Sequence, residues 1–195
     1  MAVTAEQPIP PPCPIAFKEW AGVCSALADG RQSLILRKGG IDESAGEFRP
    51  EHPAFWLYPT HLHEAQQGLR DSSVPEPIPD EPGMIPLPAL AVVEEVAWVD
   101  RDEVLEGLAD QHVWTEETVR KRFHYKRPGL WVLGVRVWRA EPPPRVAITP
   151  EHAGCKSWVP LEEPPPMTGL VPTLDPATLA SRMARIRAIA APEAP

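Results

Sequence analysis

Two groups of cationic residues have the side chains and the spacing to bind a phosphate. In the first group, Arg37 and Lys38 stand directly before Gly39 and Gly40, at the end of a predicted strand. Adjacent glycines let backbone N–H groups come close to an anion, and the neighbouring cations supply the opposite charge. This pattern predicts an anion-binding turn.

The second group lies between residues 118 and 140, a stretch with seven basic residues and no acidic one. The basic residues are Arg120, Lys121, Arg122, Lys126, Arg127, Arg136 and Arg139. Tyr125 and Trp131 lie among them, and a nucleobase can stack on such rings. Cations that contact phosphates beside stacking rings are typical of nucleic-acid binding. Arg136 interrupts an otherwise apolar strand, where a buried cation is costly unless it is paired or contacts a ligand.

The distribution of charge also allows a structural interpretation. Residues 71–117 contain thirteen acidic residues and one basic residue, Arg101, so the acidic and basic segments could face each other within one fold. The helix dipole alone also favours basic residues in the last turn of a helix such as TEETVRKRF. The basic segment therefore either forms an anion-binding surface or is neutralised internally.

Histidines and carboxylates are concentrated between residues 51 and 64. His52 follows Glu51, and Glu64 follows His61 and His63. Such a set could bind zinc, although its spacing matches no established ligand pattern, and we predict no metal site. His52 and His63 could instead act as general acid and base, with Glu51 or Glu64 as a partner. Hydrogen-bonded structural histidines are the favoured interpretation.

Cys155, in the string GCKSW, has the side chain of a nucleophile. A Cys–His pair would need an imidazole, such as that of His152, within hydrogen-bond reach. A lone cysteine beside glycine is more often a small core residue, which is the interpretation we favour. With Cys13 and Cys24 it makes a sparse set without CxxC spacing, which is typical of a reducing compartment.

Hydrophobic periodicity predicts the elements that must position these residues. Phe17, Trp20, Cys24 and Leu27 recur at helical spacing, and the alternative is a hairpin that turns at 29–30. Strands are predicted at 32–37, 55–58, 91–99 and 130–138, the last of them central in the sheet because it is almost wholly apolar.

Helices are predicted from capping residues. Thr60 would begin a short helix that ends at Gln67, and Asp100 with Glu103 would form a capping box for a helix at 101–109. Thr115 would begin a third helix, and Asp175-Pro176 would begin a C-terminal amphipathic helix. Together the elements predict an α/β or α+β domain around a mixed sheet of about four or five strands, with flanking helices.

Length and proline content set the domain organisation. The 195 residues allow one compact domain with tails, and 27 prolines are grouped in a few segments. We predict a Pro-rich disordered arm at 1–14, a single globular domain at 15–161, and a Pro-rich linker with the C-terminal helix at 162–195. With no membrane-length apolar run and no visible secretory signal, we expect a cytoplasmic protein with no membrane partner.

Four strings occur in the order AFKEWAGVCSALADGRQSLILRKGGI, EFRPEHPAFWLYPTHLHE, RFHYKRPGLWVLGVRVWR and HAGCKSWVPL. Together they resemble an uncharacterised bacterial family, domain of unknown function 1802, from about Ile15 to Leu161. The resemblance implies that the family's signature falls on Lys18, Glu19, Trp20, Arg37, Lys38, Gly39, Gly40, His52, Phe55, Pro59, Thr60, His63, Arg136, Gly154, Cys155, Ser157 and Trp158. The sequence departs from the family pattern at two places: Glu64 stands where Gln is expected, and Gly134-Val135 replaces a bulkier pair before Arg136.

The family has no established activity to transfer. Some members are associated with Mrr-type nuclease domains, so the resemblance implies a link to restriction–modification systems. The chain itself contains neither a convincing PD-(D/E)xK nuclease set nor a Nudix box.

The leading hypothesis is a binding module for a phosphate-bearing ligand, with nucleic acid favoured. Its ligand-binding residues would be Arg37, Lys38, Gly39, Gly40, His52, Arg122, Tyr125, Lys126 and Arg136. One alternative is a hydrolytic enzyme, with or without a metal, whose catalytic candidates are His52, His63, Glu51 and Glu64. Another is an interaction or scaffold protein that binds a partner through its Pro-rich segments. No cofactor is predicted from the sequence.

Overall fold

The computed structural model describes residues 8–38, 50–61, 68–70, 82–154 and 156–190. The strands are β1 (Ile15–Trp20), β2 (Leu34–Arg37), β3 (Ala54–Thr60), β4 (Met84–Pro86), β5 (Ala89–Val99), β6 (Leu130–Ala140), β7 (Arg145–Ala147), β8 (Trp158–Pro160) and β9 (Leu170–Pro172). The helices are α1 (Ala21–Ala28), α2 (Asp102–Glu106), α3 (Glu116–His124) and α4 (Pro176–Ala190).

Seven strands form one mixed sheet in the order β2-β6-β5-β3-β1-β8, with β9 paired to β6. β1 and β3 are parallel, the other pairs are antiparallel, and β4 and β7 form a separate pair. The predicted class is confirmed. The sheet has more strands than expected because β8 and β9 contain only three residues each, too few for a periodic pattern.

β6 lies in the interior of the sheet, between β2 and β5, as its apolar sequence predicts. It pairs with β2, β5 and β9, and α4 packs across it through the buried side chains of Met183 and Ile186. A Cβ on Gly134 would lie 2.7 Å from the Met183 sulfur and 2.9 Å from a methyl group of Ile186. The absence of a side chain at Gly134 therefore lets α4 approach the sheet, and the C-terminal helix is part of the main core.

The segment at 15–28 differs from both predictions. Residues 15–20 form β1, buried between β3 and β8, and the helix begins only at Ala21. The helical spacing noted in the sequence combined Phe17 and Trp20, which belong to β1, with Cys24 and Leu27, which belong to α1. Gly30, with a φ of +70°, follows the helix end, in a conformation that favours glycine.

The predicted N-caps of α3 and α4 are confirmed, whereas the predicted N-cap of α2 is wrong. The Thr115 side chain accepts a hydrogen bond from the backbone N–H of Thr118, and Asp175 accepts two from the first turn of α4, as predicted. The predicted Asp100 cap does not form, because α2 begins at Asp102 with Arg101 at the N-cap position and without a side-chain cap. α2 also ends at Glu106, before the predicted residue 109. The expected helix after Thr60 falls mostly on 62–67, outside the described residues.

Alternation along β1 and β3 creates two apolar faces. Phe17, Phe55 and Leu57 belong to the main core, whereas Ala16 and Tyr58 belong to a smaller cluster on the other face. Cys13, in the predicted disordered arm, is buried in that smaller cluster. None of the described helices has the length and apolar character needed to cross a bilayer.

Candidate functional site

A buried carboxylate lies at the end of β1. The Glu19 side chain is 1% exposed, and its Oε2 lies 3.7 Å from Nη1 of Arg37. The other oxygen, Oε1, accepts a hydrogen bond of 2.9 Å from the backbone N–H of Trp20. Because a buried carboxylate needs a counter-charge, Glu19 fixes where the Arg37 guanidinium must lie.

Arg37 joins two distant parts of the sheet. It ends the edge strand β2, yet it donates a hydrogen bond to the buried hydroxyl of Ser157, next to the opposite edge strand β8. The sheet therefore curls so that its two edges approach each other. The guanidinium carbon lies 4.8 Å from the centroid of the Phe17 ring, which holds the side chain from a third side.

Arg122 extends from α3 into the same region. Its guanidinium carbon lies 4.2 Å from the centroid of the Trp20 ring and 5.2 Å from that of Trp114, and Nη1 donates to the carbonyl of Leu36 over 3.3 Å. Within the described part of the chain, no carboxylate lies within ion-pair distance of Arg122. Aromatic faces and a neutral carbonyl therefore hold this cation.

Burial lowers the pKa of Arg122 to about 10, while the charge of Glu19 raises it and that of Arg37 lowers it. The guanidinium stays protonated at neutral pH, but at a cost in desolvation. We call Glu19, Arg37 and Arg122 the Glu19 cluster. It contains two cations and one carboxylate, and the carboxylate directly contacts only Arg37 of the two.

Lys38 has a structural role. Its ammonium donates to the carbonyls of Phe123 at 2.9 Å, Gly129 at 2.6 Å and Arg127. An ammonium has three N–H groups, so these carbonyls use its full donor capacity. Lys38 thereby fixes the segment after α3, which we call the basic turn (residues 125–129).

The basic turn presents an aromatic ring beside cations. Tyr125 is 52% exposed, and the Lys126 ammonium lies 5.5 Å from the centroid of its ring. Lys126 has a φ of +62°, in the left-handed region that few residues other than glycine adopt. Arg127 packs over the Trp98 ring at 5.1 Å, and its side chain is also exposed. The turn can therefore offer stacking and positive charge together.

Four basic residues of the 118–140 stretch pair with the protein's own carboxylates. The ion pairs are Arg120 with Glu116 at 2.9 Å, Lys121 with Glu117 at 2.7 Å, Arg136 with Glu94 at 2.9 Å and Arg139 with Glu141 at 2.6 Å. Internal neutralisation, the structural alternative, therefore accounts for part of the charge segregation.

Arg136 does not join the Glu19 cluster. It lies five residues along β6 from Trp131, the cross-strand partner of Arg37, which separates the two backbone positions by about 16 Å. The expected convergence of Arg37 and Arg136 on one ligand is wrong, because the two positions are far apart along the sheet and Arg136 forms an ion pair with Glu94 instead.

His52 and His61 are the described histidines of the 51–64 stretch. The His52 ring packs edge-on against Trp158 at 4.9 Å, in the aromatic cluster behind Arg37, whereas Glu51 is exposed. The other predicted residues, Gly39, Gly40, His63, Glu64 and Cys155, lie outside the described residues. Among the residues that are described, no three potential metal ligands lie together.

On the other face of β1, a cleft of about 740 Å³ opens between α1, the end of β3 and the β4–β7 pair. We call it the outer cleft. Lys18, Thr60 and His152 line it, and none of them was among the predicted ligand-binding or catalytic residues, although His152 was considered as a partner for Cys155. The one sequence signal for it was the family signature, which includes Lys18, Pro59, Thr60 and Gly154.

Comparisons with known proteins place the chain in a family. The model of the family described as "Domain of unknown function (DUF1802)" matches residues 16–185. No curated protein matches the chain significantly. The crystal structure of ASCH from Zymomonas mobilis is similar at 10% identity with a TM-score of 0.44, over 91% of this chain and 95% of that chain.

A serine-to-alanine mutant of the Zymomonas mobilis protein is similar at 11% identity with a TM-score of 0.45, over 76% of this chain and 87% of that chain. Similarity at this level carries no conclusion about ligand or activity.

Proposed function

The chain belongs to the DUF1802 family, and we propose that it is a binding module for a phosphate-bearing ligand, with single-stranded nucleic acid as the favoured ligand. Of the predicted contact residues, the proposal keeps Arg122, Tyr125 and Lys126 as direct contacts and adds Arg127. Arg37 and Lys38 become residues that position them.

The observation that carries the proposal is the setting of Arg122. Its guanidinium is held against two indole rings, and no described carboxylate lies within ion-pair distance of it. A desolvated cation without a direct counter-charge is unfavourable, and a bound phosphate would offset that cost. The side chain keeps partial exposure, which a ligand oxygen requires.

The basic turn supports the same function from three residues further along the chain. An exposed tyrosine ring can stack on any nucleobase, and such stacking is worth about 1–3 kcal/mol per base. Lys126 lies beside this ring, Arg127 lies over the Trp98 ring, and both exposed side chains can contact phosphates. Because Lys38 fixes the turn through three carbonyls, little order need be gained on binding.

Two further hypotheses stay predictions. A link to restriction–modification rests on the family resemblance, and a protein partner at the Pro-rich segments rests on their composition. Neither adds a contact to the proposed site.

Fluorescence anisotropy with labelled oligo-uridine and oligo-thymidine tests the proposal. Tyr125→Ala should weaken binding by about fivefold or more, the equivalent of a lost stacking contact. Lys126→Ala should also weaken it. The matched control is Lys121→Ala, which removes the same charge from a neighbouring exposed lysine that already pairs with Glu117.

The control should change affinity by less than about twofold. Equal effects of Lys126→Ala and Lys121→Ala would show attraction by net charge alone and would contradict a specific site. Absence of binding to either oligonucleotide at low salt would contradict the function itself.

A further inference from the structure

The outer cleft has the volume and the walls of a small-molecule site. Its volume of about 740 Å³ falls within the range of ligand pockets, which is roughly 300–1,000 Å³. Four prolines and three large apolar side chains contribute to its lining. The prolines are Pro59, Pro86, Pro88 and Pro143, and the apolar side chains are those of Met84, Ile85 and Ile148. Proline rings have almost no side-chain freedom to lose, so these walls contact an apolar body with little ordering cost.

Hydrogen bonds fix the wall that the β4–β7 pair forms. The two strands pair along their full length. On one side of the pair, the backbone N–H of Ile148 donates to the carbonyl of Gly83 over 2.7 Å. On the other side, the backbone N–H of Leu87 donates to the carbonyl of Pro144 over 2.8 Å. The wall is therefore already formed before a ligand enters, as in most small-molecule sites.

The protein's own groups bind the charged side chains along the cleft. Three described lining residues carry a charge at neutral pH, and each has at least one contact within the protein. The contacts are Asp29 with Arg31 at 3.4 Å, Arg139 with Glu141 at 2.6 Å, and Lys18 with the carbonyls of His152 and Gly154. An ionic ligand group would have to lose its hydration and compete with these contacts, so the lining favours an uncharged ligand.

One polar side chain of the lining is buried and has no hydrogen-bond partner. Tyr58 is 5% exposed, and within the described part of the chain no group forms a hydrogen bond with its hydroxyl. The His152 ring packs edge-on against the Tyr58 ring at 5.6 Å, and the Lys18 ammonium lies 5.9 Å from the centroid of the same ring. Burial raises the pKa of Tyr58, so the hydroxyl stays protonated at neutral pH. The buried hydroxyl is thus an oriented donor, and an acceptor on a ligand would satisfy it.

We propose that the outer cleft binds a small uncharged molecule with an apolar body and one hydrogen-bond acceptor, which accepts from the Tyr58 hydroxyl. The apolar body lies against Ile85 and Ile148, whose side chain is 51% exposed. This site is separate from the proposed nucleic-acid surface. Lys18, the cross-strand partner of Tyr58, and Glu19 are successive residues of β1 and point to opposite faces of the sheet.

Binding of the uncharged fluorophore prodan to the full chain tests the inference. Prodan combines a naphthalene body with one ketone acceptor, and its emission moves to shorter wavelength in apolar surroundings. We expect one saturable site. Octanamide should displace prodan. Octanoate and octylamine have the same alkyl chain with a charge, and they should displace it at least about tenfold less effectively.

The chain has two tyrosines, which provide matched variants. Tyr58→Phe removes only the hydroxyl and keeps the packed ring, so it should weaken prodan binding about fivefold. It should also move the emission of bound prodan to shorter wavelength, because the ketone loses its hydrogen bond. Tyr125→Phe removes the same atom from an exposed ring outside the cleft and should change prodan binding by less than about twofold.

Two exposed aliphatic residues test the apolar wall without disturbing the core. Ile148→Glu and Ile148→Lys place opposite charges in the cleft, and each should weaken prodan binding about fivefold because either charge is unfavourable beside an apolar body. Val171→Glu places a charge on β9, outside the cleft, and should change binding by less than about twofold.

Four results would overturn the inference: no saturable prodan binding, displacement by either ion as effective as by octanamide, equal effects of Tyr58→Phe and Tyr125→Phe, or stronger binding in Ile148→Lys. None of them depends on the oligonucleotide titration, so failure here and failure of the proposed function are distinguishable.

Discussion

Glu19→Gln is the substitution that acts most directly on the Glu19 cluster. It keeps the size of the side chain and removes its charge, so it leaves no cavity. Arg37, 3.7 Å away, then loses this ion pair, and Arg122 loses the carboxylate that raises its pKa. In the variant, the guanidinium groups of Arg37 and Arg122 stay in place, but the negative charge with which both interact is removed.

The cost follows from the burial of the carboxylate. Breaking a buried ion pair by removing one partner costs about 3–5 kcal/mol, and we expect about 3 kcal/mol because Arg37 keeps some exposure. For a chain of this length 1 kcal/mol lowers the melting temperature by roughly 2–4 °C, so a decrease of about 6–12 °C is expected. Urea unfolding should show a lower midpoint with an unchanged slope.

The matched control is Glu94→Gln, which removes the carboxylate from the more exposed pair with Arg136. It should cost about 1 kcal/mol or less. Sulfate or phosphate should stabilise Glu19→Gln more than the wild type, because the Glu19 carboxylate no longer competes with the anion for the two guanidinium groups. If Glu19→Gln unfolds with the same free energy as Glu94→Gln, the Glu19 carboxylate is not the counter-charge that stabilises these guanidinium groups.

Two further predictions concern groups outside the proposed contacts. Burial, with a smaller contribution from Arg70, lowers the pKa of His112 from 6.5 to about 4, so the folded state favours the neutral ring. Stability is therefore full above pH 6.5 and falls by up to about 3 kcal/mol as the pH decreases towards 4, because the unfolded chain takes up the proton first. His112→Gln should flatten that dependence in urea unfolding between about pH 7 and pH 4, and an equal decline in the variant would contradict the assignment. Lys38→Met should free the carbonyls of the basic turn and speed amide hydrogen exchange at 125–129 without a change at β5; unchanged exchange there would show that Lys38 does not fix the turn.

Local signals in the sequence predicted much of the fold. An almost wholly apolar stretch of nine residues identified β6 as an interior strand, and side-chain caps located the starts of α3 and α4. The family resemblance is confirmed by the match over 16–185. Each of these features depends on residues close together in sequence or on a characteristic set of motifs.

Features that depend on the curl of the sheet could not be predicted in this way. Arg37 contacts Ser157 from a distance of 120 residues along the chain, and Lys38 donates to carbonyls 85 to 91 residues away. The composition of the sequence identified these cations as unusual. It could not show which of them are bound by the protein's own carbonyls and carboxylates. The strand at 15–20 was mistaken for helix because a strand buried on both faces lacks the alternation that identifies a half-exposed one.

The salt dependence of oligonucleotide binding tests the central claim most directly. If Arg122, Lys126 and Arg127 each contact one phosphate of a single strand, the slope of log K against log salt concentration should be about −2, and Lys126→Ala should make it less steep by about 0.7. A slope near zero, or the same slope in Lys126→Ala as in the wild type, would contradict phosphate recognition at the basic turn.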